Sequence, residues 1–102
     1  MKLINYMAHE VDACGNKYPP SGMVARVATA LRKVDEIDGI PVMVSESNGV
    51  QNCPPKKENV LYIVSQYVRQ ALPERKDLIS PAKLLRDNHG KVVGCGAFER
   101  NA

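Results

Sequence analysis

The chain has no tryptophan, one phenylalanine, two histidines and three cysteines among its 102 residues. So few aromatics, four of the five being tyrosine, cannot supply the stacking platform on which single-strand nucleic-acid binders lay successive bases. The cysteines Cys14, Cys53 and Cys95 are odd in number, far apart and never in a C-x-x-C pair, and neither His9 nor His89 stands at a metal-ligand spacing from them. A disulfide framework and a zinc knuckle are therefore not expected, and free thiols in a reducing compartment are; no metal or cofactor is called for. No apolar run approaches the ~20 residues of a membrane-crossing helix, and Met1-Lys2-Leu3-Ile4 opens without a signal-peptide hydrophobic stretch, so no membrane partner is expected. A massed charge of one sign is also lacking. The net charge is +3, but Lys56-Lys57 runs into Glu58 and Arg75-Lys76 lies between Glu74 and Asp77. That balance disfavours duplex nucleic acid and leaves room for a small phosphate-bearing ligand.

What is present is an ordinary globular composition, 44% hydrophobic and 25% charged, of one-domain length. Val60-Leu61-Tyr62-Ile63-Val64 is the most apolar stretch and predicts a buried central strand. It feeds Ser65, a good helix N-cap, and a short helix closed by Pro73, with Tyr67, Val68, Ala71 and Leu72 on its apolar face and Arg69 on the opposite side. Asp38-Gly39 between apolar segments predicts a hairpin, and Ser45 to Gly49 a second turn. Met23 to Ala28 alternates as a strand, whereas Ala28 to Leu31 fits strand or helix. Gln51 to Asn59, polar and proline-bearing, predicts a surface loop. Ser80-Pro81 offers a second N-cap with proline at N1, starting a short helix over Ala82-Lys83-Leu84. A closing hairpin follows around Asn88-His89-Gly90, and Gly94 and Gly96 predict a bulge or a close backbone approach. The expected fold is α+β, a single domain over 1–102 with a mostly antiparallel twisted β-sheet and one or two short helices.

The chemistry-bearing residues gather after Val64. Amides and a hydroxyl at Ser65 would meet the positive end of the helix, a place that attracts phosphate or carboxylate. Arg69 and Arg75 would add guanidinium groups, with Asp77 orienting Arg75 or accepting from a ribose hydroxyl. Arg26, in an otherwise apolar strand, and Arg86, by the final turn, complete the candidate ligand-binding set. A plainer alternative stands beside each: Ser65 only a cap, Glu74 to Asp77 a solvated loop, Arg26 turned to solvent. No glycine-rich phosphate loop is present, and neither His9 beside Glu10 nor Asp35-Glu36 falls in a catalytic pattern, so no catalytic residue is expected.

The segments Ile4-Asn5-Tyr6-Met7-Ala8-His9-Glu10-Val11, Pro19-Pro20-Ser21-Gly22-Met23-Val24-Ala25-Arg26-Val27, Gly39-Ile40-Pro41-Val42, Tyr62-Ile63-Val64-Ser65 and Ala71-Leu72-Pro73-Glu74-Arg75-Lys76-Asp77-Leu78, with Ser80-Pro81 and Arg86-Asp87 through Gly94-Cys95, resemble a family of small proteins encoded by bacteriophages and prophages. In size and β-rich build the chain is similar to the sponge proteins of that group, of anti-Thoeris and anti-CBASS type. That resemblance implies sequestration of a cyclic nucleotide-type immune signal without cleavage, in the cytoplasm of an infected bacterial host. It implies a homo-oligomer, because a sponge encloses its ligand and so short a chain has little interior to spare. The rival expectations are a protein-interaction module acting through a sheet edge or loop 51–59, a minor phage structural or assembly component, and a small phosphodiesterase or nucleotide hydrolase.

Overall fold

The computed structural model describes the backbone of residues 1–102 and every side chain except those of residues 47 and 48. Eight strands and one helix follow in the order β1 (Lys2–Asn5), β2 (Val11–Ala13), β3 (Asn16–Tyr18), β4 (Arg26–Ile37), β5 (Ile40–Gln51), β6 (Val60–Ile63), α1 (Gln66–Ala71), β7 (Leu78–Arg86) and β8 (Val92–Arg100). Six strands form one sheet in the order β1-β6-β7-β8-β2-β3, while β4 and β5 pair only with each other. The six-stranded sheet curls until its two edges nearly meet. A bridge joins Asn5 to Pro20, and the Ser21 amide donates to the Asn5 carbonyl at 3.0 Å.

This architecture corrects the α+β expectation. Strands account for 55% of the chain and helix for 6%, so the protein is mostly β: a nearly closed barrel-like sheet plus an antiparallel hairpin. Nor is the sheet mostly antiparallel, since β1–β6, β6–β7 and β2–β8 are parallel pairs. The parallel pairs join segments far apart in sequence, and turn chemistry carries no signal for them.

Strand β6 lies between β1 and β7, as its continuous hydrophobicity requires. Its alternation fills two cores. Leu61 and Ile63 point into the barrel with Leu3, Val11, Ala13, Ile79, Cys95 and Phe98. Val60, Tyr62 and Val64 point outward, into a second core closed by Val68 and Leu72 of the helical segment and by Ala25, Val27 and Val50 at the base of the β4–β5 hairpin. The hairpin is thus anchored at its base, and its remaining length projects. The Cα radius of gyration is 16.5 Å, against about 13 Å for a compact chain of this length.

Two local expectations also change, and one left open is settled. Ser80-Pro81 does not start a helix; both residues lie within β7. The Ser80 hydroxyl is taken by the Arg69 side chain rather than by helix amides. By strand alternation from Ile79, the Pro81 nitrogen faces the side on which β6 has already ended, so its missing N–H costs the ladder nothing. The turn expected over Ser45 to Gly49 is strand instead, because β5 runs through it with a register shift opposite Val27/Thr29. Gly49, at φ +93°, absorbs that shift as a bulge. Residues 28–31 are strand, settling the ambiguity between strand and helix there. Asp38-Gly39 does turn the hairpin, with φ of 53° and 77°, the left-handed pair that a two-residue type I′ loop demands.

Candidate functional site

The site is built where β1 and β6 end side by side. Both strands run parallel, so the segments that leave them, residues 6–10 and 64–67, emerge at the same end of the barrel. Asn5 organises the first segment. Its side-chain amide donates to the His9 carbonyl at 2.8 Å and the Tyr18 carbonyl at 2.9 Å, and its Oδ1 accepts from the Met7 amide at 2.8 Å. One buried side chain therefore ties the β1 end, the 6–10 turn and the end of β3 together. His9 Nδ1 lies 2.9 Å from the Glu10 carbonyl, so it carries the proton and leaves Nε2 as the acceptor in the neutral ring.

Ser65 organises the second segment. It caps α1 in extended conformation, its Oγ accepting from the Val68 amide at 3.3 Å. The helix is six residues long, and its buried residues are Val68 and Arg69. This reverses two expectations. Arg69 lies on the inner side of the helix, 5% exposed, and Tyr67, expected on the apolar face, is 75% exposed.

Two clefts flank the wall formed by Met7, His9, Ser65 and Tyr67. The first, about 450 Å³, opens between that wall and the base of the hairpin, where Val24, Arg26 and Thr29 complete it. The second, about 540 Å³, opens over the barrel end and is bounded by Val11, Asp12, Lys17, Leu84, Val92 and Val93. Arg26 is exposed, and among the described residues no carboxylate pairs with it. The first cleft is therefore lined by one guanidinium, one imidazole, the hydroxyl residues Ser65 and Thr29, and two tyrosines, Tyr6 and the exposed Tyr67.

Of the residues singled out in the sequence, Ser65 and Arg26 meet in this cleft, and the others do not. Arg69 donates from Nε to Ser80 Oγ at 2.9 Å and from Nη1 to Asn101 Oδ1 at 3.1 Å, and its Nη2 lies 3.1 Å from Glu99. The Asn101 amide in turn donates to the carbonyls of Arg69, Leu72 and Arg75, at 3.0–3.1 Å. The network fastens the C-terminal end of the chain to the end of α1. Arg75 is held in bidentate fashion by Asp77, at 2.8 and 2.7 Å, and also donates to the Pro54 carbonyl at 2.9 Å, pinning loop 52–59. Those hydrogen bonds from Arg75 hold the Asp77 carboxyl below the usual aspartate value, against the opposing effect of burial. Burial pushes the Cys53 thiol up, with the nearby Arg75 opposing it, and burial likewise raises Cys95. Neither is an activated thiolate. Arg86 donates to the Gly90 carbonyl at 2.9 Å and closes the β7–β8 turn.

The sequence reading passed over Met7 and Tyr67 as site residues and found no partner for His9. Their one available signal was position: each lies within four residues of the end of a parallel strand, at the end where α/β and barrel proteins place ligands. Among the described residues no three His, Cys, Asp or Glu side chains come together to hold a metal ion, and no helix is long and apolar enough to cross a membrane. No family model, curated protein or solved structure matches this chain.

Proposed function

We propose that the protein binds and retains a small phosphate-bearing nucleotide in the cleft at the base of the hairpin, without breaking a bond in it. The observation that carries this reading is the meeting of an uncompensated guanidinium, Arg26, with the exposed ring of Tyr67 across a cleft of about 450 Å³. A phosphate needs the first, and a base has a use for the second: base–aromatic stacking contributes about 1–3 kcal/mol. Ser65, Thr29 and His9 Nε2 supply polar contacts around the rim. The volume lies within the range of sites that hold small ligands. The ligand class is a cyclic nucleotide signal, as the likeness to phage sponge proteins implies, and the cellular role is to withdraw that signal from a host defence pathway.

The test is a thermal-shift and equilibrium-dialysis panel of cyclic dinucleotides, cyclic trinucleotides and cyclic ADP-riboses. At least one compound is expected to raise the melting temperature. Tyr67→Ala is expected to weaken its binding by about tenfold or more, consistent with the loss of one stacking contact. Arg26→Ala is expected to abolish the dependence on phosphate. Absence of any shift across the panel, or binding indifferent to both substitutions, removes the ligand from this cleft.

A further inference from the structure

The β4–β5 hairpin has more surface than a single chain can use. Each of its strands is 12 residues long, and beyond the base no other element packs on the described side chains. Leu31 and Met43 lie on one of its faces, and a longer apolar row lies on the other. On β5, Ile40, Val42 and Val44 share one face by alternation, and the register adds Ile37 opposite Ile40 and Asp35 and Arg32 opposite Val42 and Val44. Val34 sits in the irregularity between Lys33 and Asp35. Ile37 and Ile40 are 58% and 66% exposed, and Val34 and Val44 are also open to solvent. An isolated two-stranded hairpin is marginal in water, and one with an apolar face needs a surface to lie on. The folded chain exposes 7041 Å², roughly 1,300 Å² more than size scaling gives for a compact protein of 11.2 kDa. A stable interface removes about 800 Å² from each partner.

The same chain carries a matching acceptor. At the far end of the β7–β8 hairpin, Leu84, Leu85, Val92 and Val93 are exposed, and three of them line the cleft over the barrel end. Charge distinguishes the two surfaces. The hairpin arm has Arg26, Arg32 and Lys33 against Asp35, Glu36, Asp38 and Glu46, a net −1 with the acidic residues weighted toward its tip. The rest of the chain holds +4, and the acceptor carries Lys83, Arg86 and Lys91 on its rim and Lys17 in the cleft, against Asp87, Glu10 and Asp12, a net +1. Two arms laid tip to tip would repel, whereas an arm on the acceptor is attracted.

We infer that the β4–β5 arm of one copy docks by its Ile37–Ile40–Val42–Val44 face on the Leu84–Val92–Val93 surface of a second copy, forming a homo-oligomer by arm exchange. The contact is heterologous: donor and acceptor are different patches of the same chain, so it closes as a reciprocal pair or as a ring. It needs no ligand and stands apart from the nucleotide reading, although the docked arm would cover the barrel-end side of the wall that carries His9 and Tyr67.

Light scattering coupled to size exclusion tests it on the full chain at micromolar concentration without nucleotide. The wild type is expected at a multiple of 11.2 kDa. An arm variant, Ile40→Lys with Val44→Lys, and an acceptor variant, Val93→Asp, are each expected to fall to the mass of one chain. Mixing the two variants is expected to recover a two-chain complex, because each retains the patch the other has lost. Should Val93→Asp lose its cooperative melt, Lys83→Glu with Lys91→Glu reverses the acceptor charge without touching packing and is expected to lower the assembled fraction. A single-chain wild type overturns the inference, as does an acceptor variant that keeps the wild-type mass (the mark of arm-to-arm pairing or of another contact) or a mixture that stays unassembled.

Discussion

Replacing Arg69 by Met separates a structural arginine from a ligand-binding one. Methionine keeps an unbranched stem in the same buried channel, so the loss is confined to the guanidinium. Two buried groups then lose their partner, the Ser80 hydroxyl and Asn101 Oδ1. Leaving a buried polar group unsatisfied costs about 1–3 kcal/mol. The third contact, to a Glu99 carboxylate that is 56% exposed, adds little because water screens it. With each group taken in the lower part of that range, about 1–2 kcal/mol, the total is roughly 2–4 kcal/mol, a large share of the ~5–15 kcal/mol that holds a domain of this size. At about 4–8 °C per kcal/mol, thermal unfolding followed by circular dichroism should show a drop of about 8–30 °C. Nucleotide retention by the folded variant at low temperature should be unchanged, since Arg69 does not reach either cleft. A drop of only a degree or two, or a selective loss of ligand at unaltered stability, would refute the network as drawn.

Other expectations follow from single contacts. Asp77 has a carboxyl held below its ordinary value of about 3.9, so the stability it contributes is fully present above that pH and is lost as pH falls through the lower native value. The difference in melting temperature between wild type and Asp77→Asn should therefore be constant from neutral pH to about pH 5 and shrink below about pH 4; a gap that persists at acid pH would show that packing, not charge, is responsible. Gly94→Ala places a Cβ 2.9 Å from the Asp12 carbonyl oxygen, a backbone atom that cannot swing aside. Chemical denaturation should show a loss of about 1–3 kcal/mol, and a neutral result would mean that β2 and β8 separate more easily than their pairing implies. Asn5→Ala leaves the His9 and Tyr18 carbonyls and the Met7 amide without their partner, so it should lower the melting temperature together with ligand affinity, and an unchanged melt would show that the turn does not depend on this side chain.

What the sequence made legible was local. The apolar run at Val60 to Val64, the Asp38-Gly39 turn, the Ser65 cap with Pro73 beyond it, and the closing β7–β8 hairpin all rest on neighbours in the chain, and each is present. What stayed illegible depends on distant partners. Nothing in the strand sequences announces that β1 pairs parallel to β6, or that β3 returns to β1 to close the barrel. Ser80-Pro81 has the composition of a helix start, yet a guanidinium 11 positions earlier in the sequence claims the hydroxyl. Arg69 is one position from Val68 on a helix too short for periodicity to fix its face, so its burial is decided by Ser80 and Asn101, not by pattern. The candidate site suffered likewise: the arginines that looked most available, Arg69 and Arg75, are satisfied internally, and the one left open, Arg26, is carried by the root of the projecting arm.

The most direct measurement is release of the retained ligand. Protein incubated with the cyclic nucleotide that shifts its melting, freed of unbound compound by filtration and then heated, should yield that nucleotide at its original mass and in stoichiometric amount per occupied cleft. Linearised or hydrolysed nucleotide in the eluate, or none at all, would contradict the account.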